Sequence, residues 1–503
     1  MKKLLSLFGF GLLFAPYTLC QPLWELIIDP LNQHCAALSA MYSSQNRLFV
    51  SVGERGTFLP SRLFEVNEQG EVLGAGITSM PGKVAIEAGF VGENSNGELL
   101  AISLALNPAQ PPGDSVRIAL FRFNTDLEQL SVVQVGKAGR DMSSHVGFVG
   151  PDSTIRLVYQ TDDWAGNMHQ LEAMKLSMAG DSIMSNQLYD GVTQAPVTSL
   201  VMHPNGKMLM GSAYADWGYT PTSGGNVTYI ENNLEIDSTY YLEPVDLNNP
   251  SPLYNAPQYP IQALPLASGN LLISGQFWRV FGTDQPAVIQ RTDAEAHVIN
   301  QFVADSPWDE DMPAFNKAMD MAEDGTVYFA QMNNWDGSNY FGVYPSQVRL
   351  THLDTALDVL GSYVFDGFMD STHYGPYSVL TTPDGGILVM GMKRDLNIPN
   401  APTKAWVAKL GPESFTTDIP ENKGPVLGLY PNPGTAGFTV ELKGRVENGL
   451  IHLVDGQGRI VLSQPLNGIN AAVRTAALAS GLYAVIVRDH AGKVLQSLRW
   501  MKE

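Results

Sequence analysis

Gln262–Gly275 reads QALPLASGNLLISG: an apolar strand, a three-residue polar turn centred on glycine, and a second apolar strand. The same sentence is written at Ser199–Gly211 (SLVMHPNGKMLMG), Ala318–Ala330 (AMDMAEDGTVYFA) and Ser378–Gly391 (SVLTTPDGGILVMG). Gly supplies positive φ without steric cost. Asn-Gly and Asp-Gly between apolar runs predict a tight β-hairpin, here with positive φ at both central residues.

Working outward, weaker copies stand upstream at Leu38–Val52, Gly89–Leu104 and Val146–Gln160. Seven copies recur at intervals of roughly 50–63 residues, a period that belongs to repeat architectures. Two further strand-like runs follow each hairpin, as at Ala287–Arg291 and Ala296–Val303, or Gln347–Leu353 and Asp358–Phe365. Four strands per repeat and almost no helical periodicity predict an all-β fold, a seven-bladed β-propeller over 21–412. The seventh copy has three strands, ending at Lys404–Leu410, and then turns polar. Leu23–Asp29 (LWELIID) is a spare strand expected to complete that last blade and so protect its edge.

The fifth copy, Ala263–Phe302, resembles the delta-60 repeat of bacterial surface and secreted proteins. The likeness rests on Ser268-Gly269-Asn270, Ile273-Ser274-Gly275, Phe277, Gly282, Ile289, Arg291 and Phe302. It implies a propeller-like fold and no fixed activity.

Met1-Lys2-Lys3 precedes an apolar run from Leu4 to Ala15, the pattern of a signal peptide over 1–20, too short to span a membrane. Cleavage before Gln21 removes Cys20 and leaves Cys35 as a lone thiol. A lipoprotein signal with Cys20 lipidated is the other reading, against which Leu19 counts. No other stretch is long and apolar enough to be a transmembrane segment. The formal charge of the 503 residues is -20, which speaks against nucleic acid as partner.

A polar linker is expected over 413–426. Beyond it come Tyr430-Pro431-Asn432-Pro433, the turn Val454-Asp455-Gly456-Gln457-Gly458-Arg459 with Val461-Leu462, and Leu478 with Ser480-Gly481-Leu482-Tyr483. This ordered set resembles the type A C-terminal sorting domain of the type IX secretion system of Bacteroidetes. The ending Leu498-Arg499-Trp500-Met501 departs from the family's usual Lys-Leu-Val type strand. The resemblance implies export through the periplasm to the outer surface or medium, with the secretion machinery as partner of 427–503. Seven or so short strands predict an Ig-like β-sandwich there, its first strand starting after the two prolines.

Standard catalytic spacings are absent: Gly-x-Ser-x-Gly, His-Glu-x-x-His, Cys-x-x-Cys and the phosphate-binding glycine loop do not occur. Asn334–Gly337 is a fragment of a calcium loop whose first and last ligand positions hold Met332 and Val343. No metal or other cofactor is expected, and His34, His145 and His203 read as ordinary polar residues.

One constellation is positional. The loops after the third to sixth hairpins carry Trp164, Trp217, Trp278 and Trp335 in turn, and the connection Asp305–Asp311 adds Trp308. Asp162, Asp163, Asp216 and Asp336 stand beside them. In a propeller these loops share one face, and aromatic rings next to carboxylates suit sugars or cationic groups. The competing reading is that each Trp packs between neighbouring blades. Three functions follow: a secreted binding or adhesion protein for glycan or protein, preferred here; a carbohydrate-active hydrolase or lyase using loop-face carboxylates; or a structural surface component.

Overall fold

The structure is a computed structural model. It describes residues 22–502 except 30–32, 55–58, 108–114, 137–139, 163–168, 190–193, 215–223, 243–257, 278–284, 305–309, 336–341, 416–425, 431, 456–458 and 489–493. The chain forms two compact units, Met1–Thr416 and Thr417–Glu503.

The first unit is a succession of seven antiparallel sheets. Sheet 1 holds Cys35–Tyr42, Leu48–Glu54, Arg62–Val66 and Val72–Ile77; sheet 2 holds Val84–Glu93, Leu99–Leu106, Val116–Phe123 and Gln129–Val135. Sheet 3 holds Asp141–Val149, Ile155–Asp162, His169–Leu176 and Ser182–Tyr189; sheet 4 holds Gln194–Met202, Met208–Tyr214, Gly224–Ile230 and Ile236–Tyr241. Sheet 5 holds Gln258–Pro265, Leu271–Gln276, Ala287–Thr292 and Val298–Val303. Sheet 6 begins with two short strands, Asp311–Pro313 and Met319–Met321, then Val327–Asn333, Gln347–Leu353 and Val359–Asp366. Sheet 7 has Thr372–Thr381, Ile387–Asp395 and Lys404–Leu410, and its fourth strand is Trp24–Ile28, antiparallel to Lys404–Leu410 with Ile27 opposite Trp406. The spare N-terminal strand therefore does complete the last sheet. Ion pairs Lys393–Glu25 (2.8 Å) and Lys404–Asp29 (3.0 Å) hold it there.

The apolar cores lie between successive sheets. Phe49, Leu63, Leu99 and Phe121 join sheets 1 and 2; Leu157 and Leu120 join 3 and 2; Val158 and Leu200 join 3 and 4; Val227 and Ile273 join 4 and 5. Leu272, Phe329 and Val389 run through 5, 6 and 7, and Val50, Leu388 and Val407 close sheet 7 onto sheet 1. Strand alternation explains this: residues of one parity face one neighbour and those of the other parity face the next. The result is a closed, propeller-like ring. Phe415 packs on Tyr328 (5.0 Å) and His352 (5.7 Å), so the first unit runs through the Pro412–Ser414 turn.

The hairpins differ from the expected type. Only the last turn residue is left-handed, for example Gly206 at φ 87°, while Gly206 N donates to His203 O and His203 N to Lys207 O. This is a type I turn followed by one left-handed residue, a bulged three-residue loop rather than a two-residue turn with two positive φ values. The same loop closes the outer hairpins, where Leu127, Leu234, Ala296 and Leu357 take the left-handed position at φ 61–71° with their side chains buried.

In the second unit five strands are described, fewer than expected: Val426–Tyr430, Gly437–Val454, Ile460–Arg474, Gly481–Arg488 and Val494–Lys502. The first described strand, Val426–Tyr430, precedes the two prolines rather than starting after them. Gly437–Val454 pairs with Val426–Tyr430 through its first half and with Gly481–Arg488 through its second, with register breaks between. One long bent strand does what two short ones were expected to do. Both halves feed one core of Phe438, Val440, Ile451, Leu453, Val485 and Trp500. Trp500 is fully buried, with Phe438 at 4.8 Å and Tyr483 at 6.0 Å, so the atypical ending is a core strand. Tyr483 donates its hydroxyl to Ala479 O at 2.7 Å, which fixes the Ser-Gly-Leu-Tyr turn.

Candidate functional site

Each innermost strand of the ring breaks register near its middle: between Ala37 and Ser39, Ile86 and Gly89, Met142 and His145, Val197 and Ser199, Gln258 and Gln262, and Pro376 and Ser378. In sheet 6 the break is complete and splits the strand in two. A bulge re-aims side chains and frees backbone groups from their own ladder. Here the released groups bind the next sheet. Ser39 Oγ accepts from Phe90 N (3.1 Å), and Ser199 Oγ from Ala263 N (3.2 Å). Gln262 pairs with both backbone groups of Met319 (2.8 Å each), and Ser378 Oγ donates to Leu38 O (2.6 Å).

Inside this stitched ring lies a cavity of about 990 Å³, walled by the innermost strands of all seven sheets. Most of the wall is apolar. The polar residues that reach it include Glu87, Ser144, His145, Lys317, Asp320 and His373. Glu87 sits in its bulge at φ 54°, a costly conformation for a residue with a Cβ, and such outliers gather at functional sites. Lys317 Nζ meets Asp320 Oδ1 at 2.7 Å, while Asp320 Oδ2 accepts from Thr381 N (2.7 Å) and Oγ1 (2.9 Å). Enclosure by the wall pushes the His145 pKa down to about 4, against the opposing effect of its hydrogen bond with the Ile102 backbone. His373 Nδ1 lies 3.1 Å from Tyr344 O, which places its proton on Nδ1. A Cβ on Gly342 (φ 63°) would overlap the His373 ring, so only glycine lets that loop lie against the imidazole.

Of the expected residues, Asp162 ends the second strand of sheet 3 opposite Asp141, and Trp335 is described. It is half-buried, lines the cavity, and donates its backbone N–H to Glu310 O at 2.9 Å. Trp164, Trp217, Trp278, Trp308, Asp163, Asp216 and Asp336 lie outside the described residues. Glu87, His373 and the Lys317–Asp320 pair were not foreseen. Their one sequence signal is a charged or ionisable residue inside an otherwise apolar first strand, as in Val84–Phe90 (VAIEAGF). Among the described residues, no three His, Cys, Asp or Glu side chains converge. The buried thiol of Cys35 reaches Ile28 O (3.6 Å) and accepts from Ala405 N (3.2 Å) at the ring's seam.

Residues 428–499 match the secretion system C-terminal sorting domain family. That match supports export to the cell surface or medium through the type IX machinery. No curated protein matches the sequence. Among solved structures, a protein of unknown function from Dyadobacter fermentans is 12% identical (TM-score 0.45, 78% of this chain, 98% of that one). A Penicillium chrysogenum α-L-arabinanase complexed with arabinobiose is 13% identical (TM-score 0.43, 66% and 94%). PorZ, a surface component of the type IX secretion system of Porphyromonas gingivalis, is 12% identical (TM-score 0.26, 93% and 70%). At these scores the likenesses carry no functional weight. No helix among the described residues is long and apolar enough to cross a membrane.

Proposed function

We propose that the chain is a secreted or surface-attached binding or adhesion protein: a seven-bladed, delta-60-like β-propeller that loses a signal peptide over 1–20 and carries an Ig-like sorting sandwich. Its ligand, a glycan or a protein, docks on the loop face at the mouth of the central cavity. The observation that carries this reading is Trp335, which lines the cavity and is only half-buried, so part of its indole face is open for a ligand to stack on, unlike the fully enclosed Trp406. Trp164, Trp217, Trp278 and Trp308, with Asp163, Asp216 and Asp336, belong to the same proposed face. A hydrolase needs two carboxylates a few ångströms apart around the scissile bond. The described cavity wall offers Glu87 and Asp320, and Asp320 is committed to Lys317 and Thr381, which favours binding over hydrolysis. A glycan array probed with the mature protein and with Trp335→Ala tests this. Binding that Trp335→Ala abolishes supports it. Unchanged binding, or turnover of a bound glycan, overturns it.

A further inference from the structure

A second pocket, of about 520 Å³, lies apart from the central cavity, between the inner hairpins of sheets 3 and 4. Arg156, on the second strand of sheet 3, is only 2% exposed. Its Nη2 meets Asp152 Oδ2 at 2.8 Å and Asn232 Oδ1 at 3.3 Å, and its Nη1 reaches Asn232 O at 3.5 Å. Its Nε–H is buried with no partner among the described residues. His203, 5% exposed, accepts the Asn205 N–H on Nδ1 (3.2 Å), which leaves its proton on Nε2. That Nε2 is likewise buried without a partner among the described residues. Tyr229 packs edge-on against the imidazole at 5.4 Å and fixes its plane. Lys175 Nζ completes the group, 2.7 Å from Asp152 Oδ2. Buried donors are usually satisfied, and an acceptor held in the pocket that Arg156 and His203 line would satisfy both.

The local charge agrees. Asp152 is one carboxylate serving two cations. Burial opposes its ionisation, yet hydrogen bonds from Lys175 and Thr154 and the Arg156 charge hold it well below the usual carboxylate range. Among the pocket's lining residues one positive charge is therefore in excess, while neighbouring Lys207 pairs with both Glu231 and Asp237. Pro151 and Pro204 add flat apolar wall on which the body of a sugar-sized molecule can rest.

We propose that this pocket binds a compact oxyanion group, a carboxylate, sulfate or phosphate, held by Arg156, Lys175 and His203. The group arrives as a free ion or as the acidic substituent of a small saccharide. The site is independent of the loop face, so Trp335→Ala leaves it intact.

The test is calorimetric titration of the mature protein with sodium sulfate, sodium phosphate, glucuronate and neutral glucose, with ionic strength held constant by NaCl. Saturable binding of at least one anion is expected, with none of glucose. Lys175→Met and His203→Phe should each weaken it at least about tenfold; Lys175 is partly exposed, so its replacement spares the fold. Glucuronate binding at least about tenfold tighter than the inorganic ions would identify the saccharide source; parity or the reverse would identify the free ion. No saturable anion binding, or binding unchanged in both variants, overturns the proposal.

Discussion

Ser378 Oγ donates a 2.6 Å hydrogen bond to the backbone carbonyl of Leu38, 340 positions earlier in the chain. The bond joins the innermost strand of the last sheet to that of the first and, with Trp24–Ile28 on Lys404–Leu410, seals the ring. The Leu38 carbonyl also accepts from Asn316 Nδ2, on the sheet 6 segment, at 3.2 Å, so that oxygen keeps a partner without Ser378. Ser378→Ala should therefore cost only about 0.5–1.5 kcal/mol in urea unfolding. Deleting Leu23–Asp29 removes a whole paired strand and both ion pairs and should lower the melting temperature far more. Equal effects of the two changes would argue against strand-based closure.

The buried left-handed leucines set two forces against each other. Leu234 fills the core between sheets 3 and 4, while φ 67° costs it about 1–2 kcal/mol that glycine does not pay. Leu234→Ala should lose about 2–5 kcal/mol, because the cavity opens and the strain stays. Leu234→Gly should be no worse than Leu234→Ala, the reverse of the order in a strand. Denaturation midpoints of the two variants decide it.

The tryptophans divide by environment. Trp406 is fully enclosed by Phe365 (4.8 Å) and Tyr374 (5.0 Å), and Trp406→Ala should cost about 3–5 kcal/mol. Trp335→Ala should change ligand binding and leave the melting temperature nearly where it was. A large stability loss at Trp335 would assign that ring to packing.

His145 gives a pH signature. Its folded pKa of about 4 lies below the ordinary histidine value of 6.5. Between these values the unfolded chain binds more protons, so this residue's contribution to stability is complete above about pH 6.5 and is lost as pH falls toward 4. The slope from one such group is at most about 1.4 kcal/mol per pH unit. His145→Asn should flatten the wild-type decline between pH 6.5 and 4.5 in urea titrations; parallel curves would place the imidazole in a more solvated setting.

The family match of residues 428–499 leads to a prediction about export. Removing Leu429–Glu503 should strand the protein in the periplasm, read by fractionation and surface proteolysis. Truncated protein reaching the medium normally would refute a sorting role.

Much of the fold was legible because it is local. A glycine or small polar turn between apolar runs specifies a hairpin whatever surrounds it, and all seven inner hairpins lie where their sequences place them. The partner of Lys404–Leu410 was legible from a simple mismatch: three strands at one end and one spare at the other. The Tyr-Pro-Asn-Pro and Ser-Gly-Leu-Tyr motifs located the sorting tail, although its long bent strand was invisible in them. The turn type was misread because Asn-Gly and Asp-Gly serve both the two-residue turn and the bulged three-residue loop, and the ladder register chooses between them.

The sequence alone determined the repeat, its strands, the strand that closes it and the export tail, since each follows from neighbours along the chain. The tertiary structure alone decided the sites. Glu87, His145, Lys317 and His373 come from four sheets and meet around one cavity only because seven bulged strands face a common axis. Arg156, Lys175 and His203 share a pocket only because two hairpins from adjacent sheets are packed side by side. Proximity of that kind arises from packing between repeats, and no spacing within a repeat encodes it.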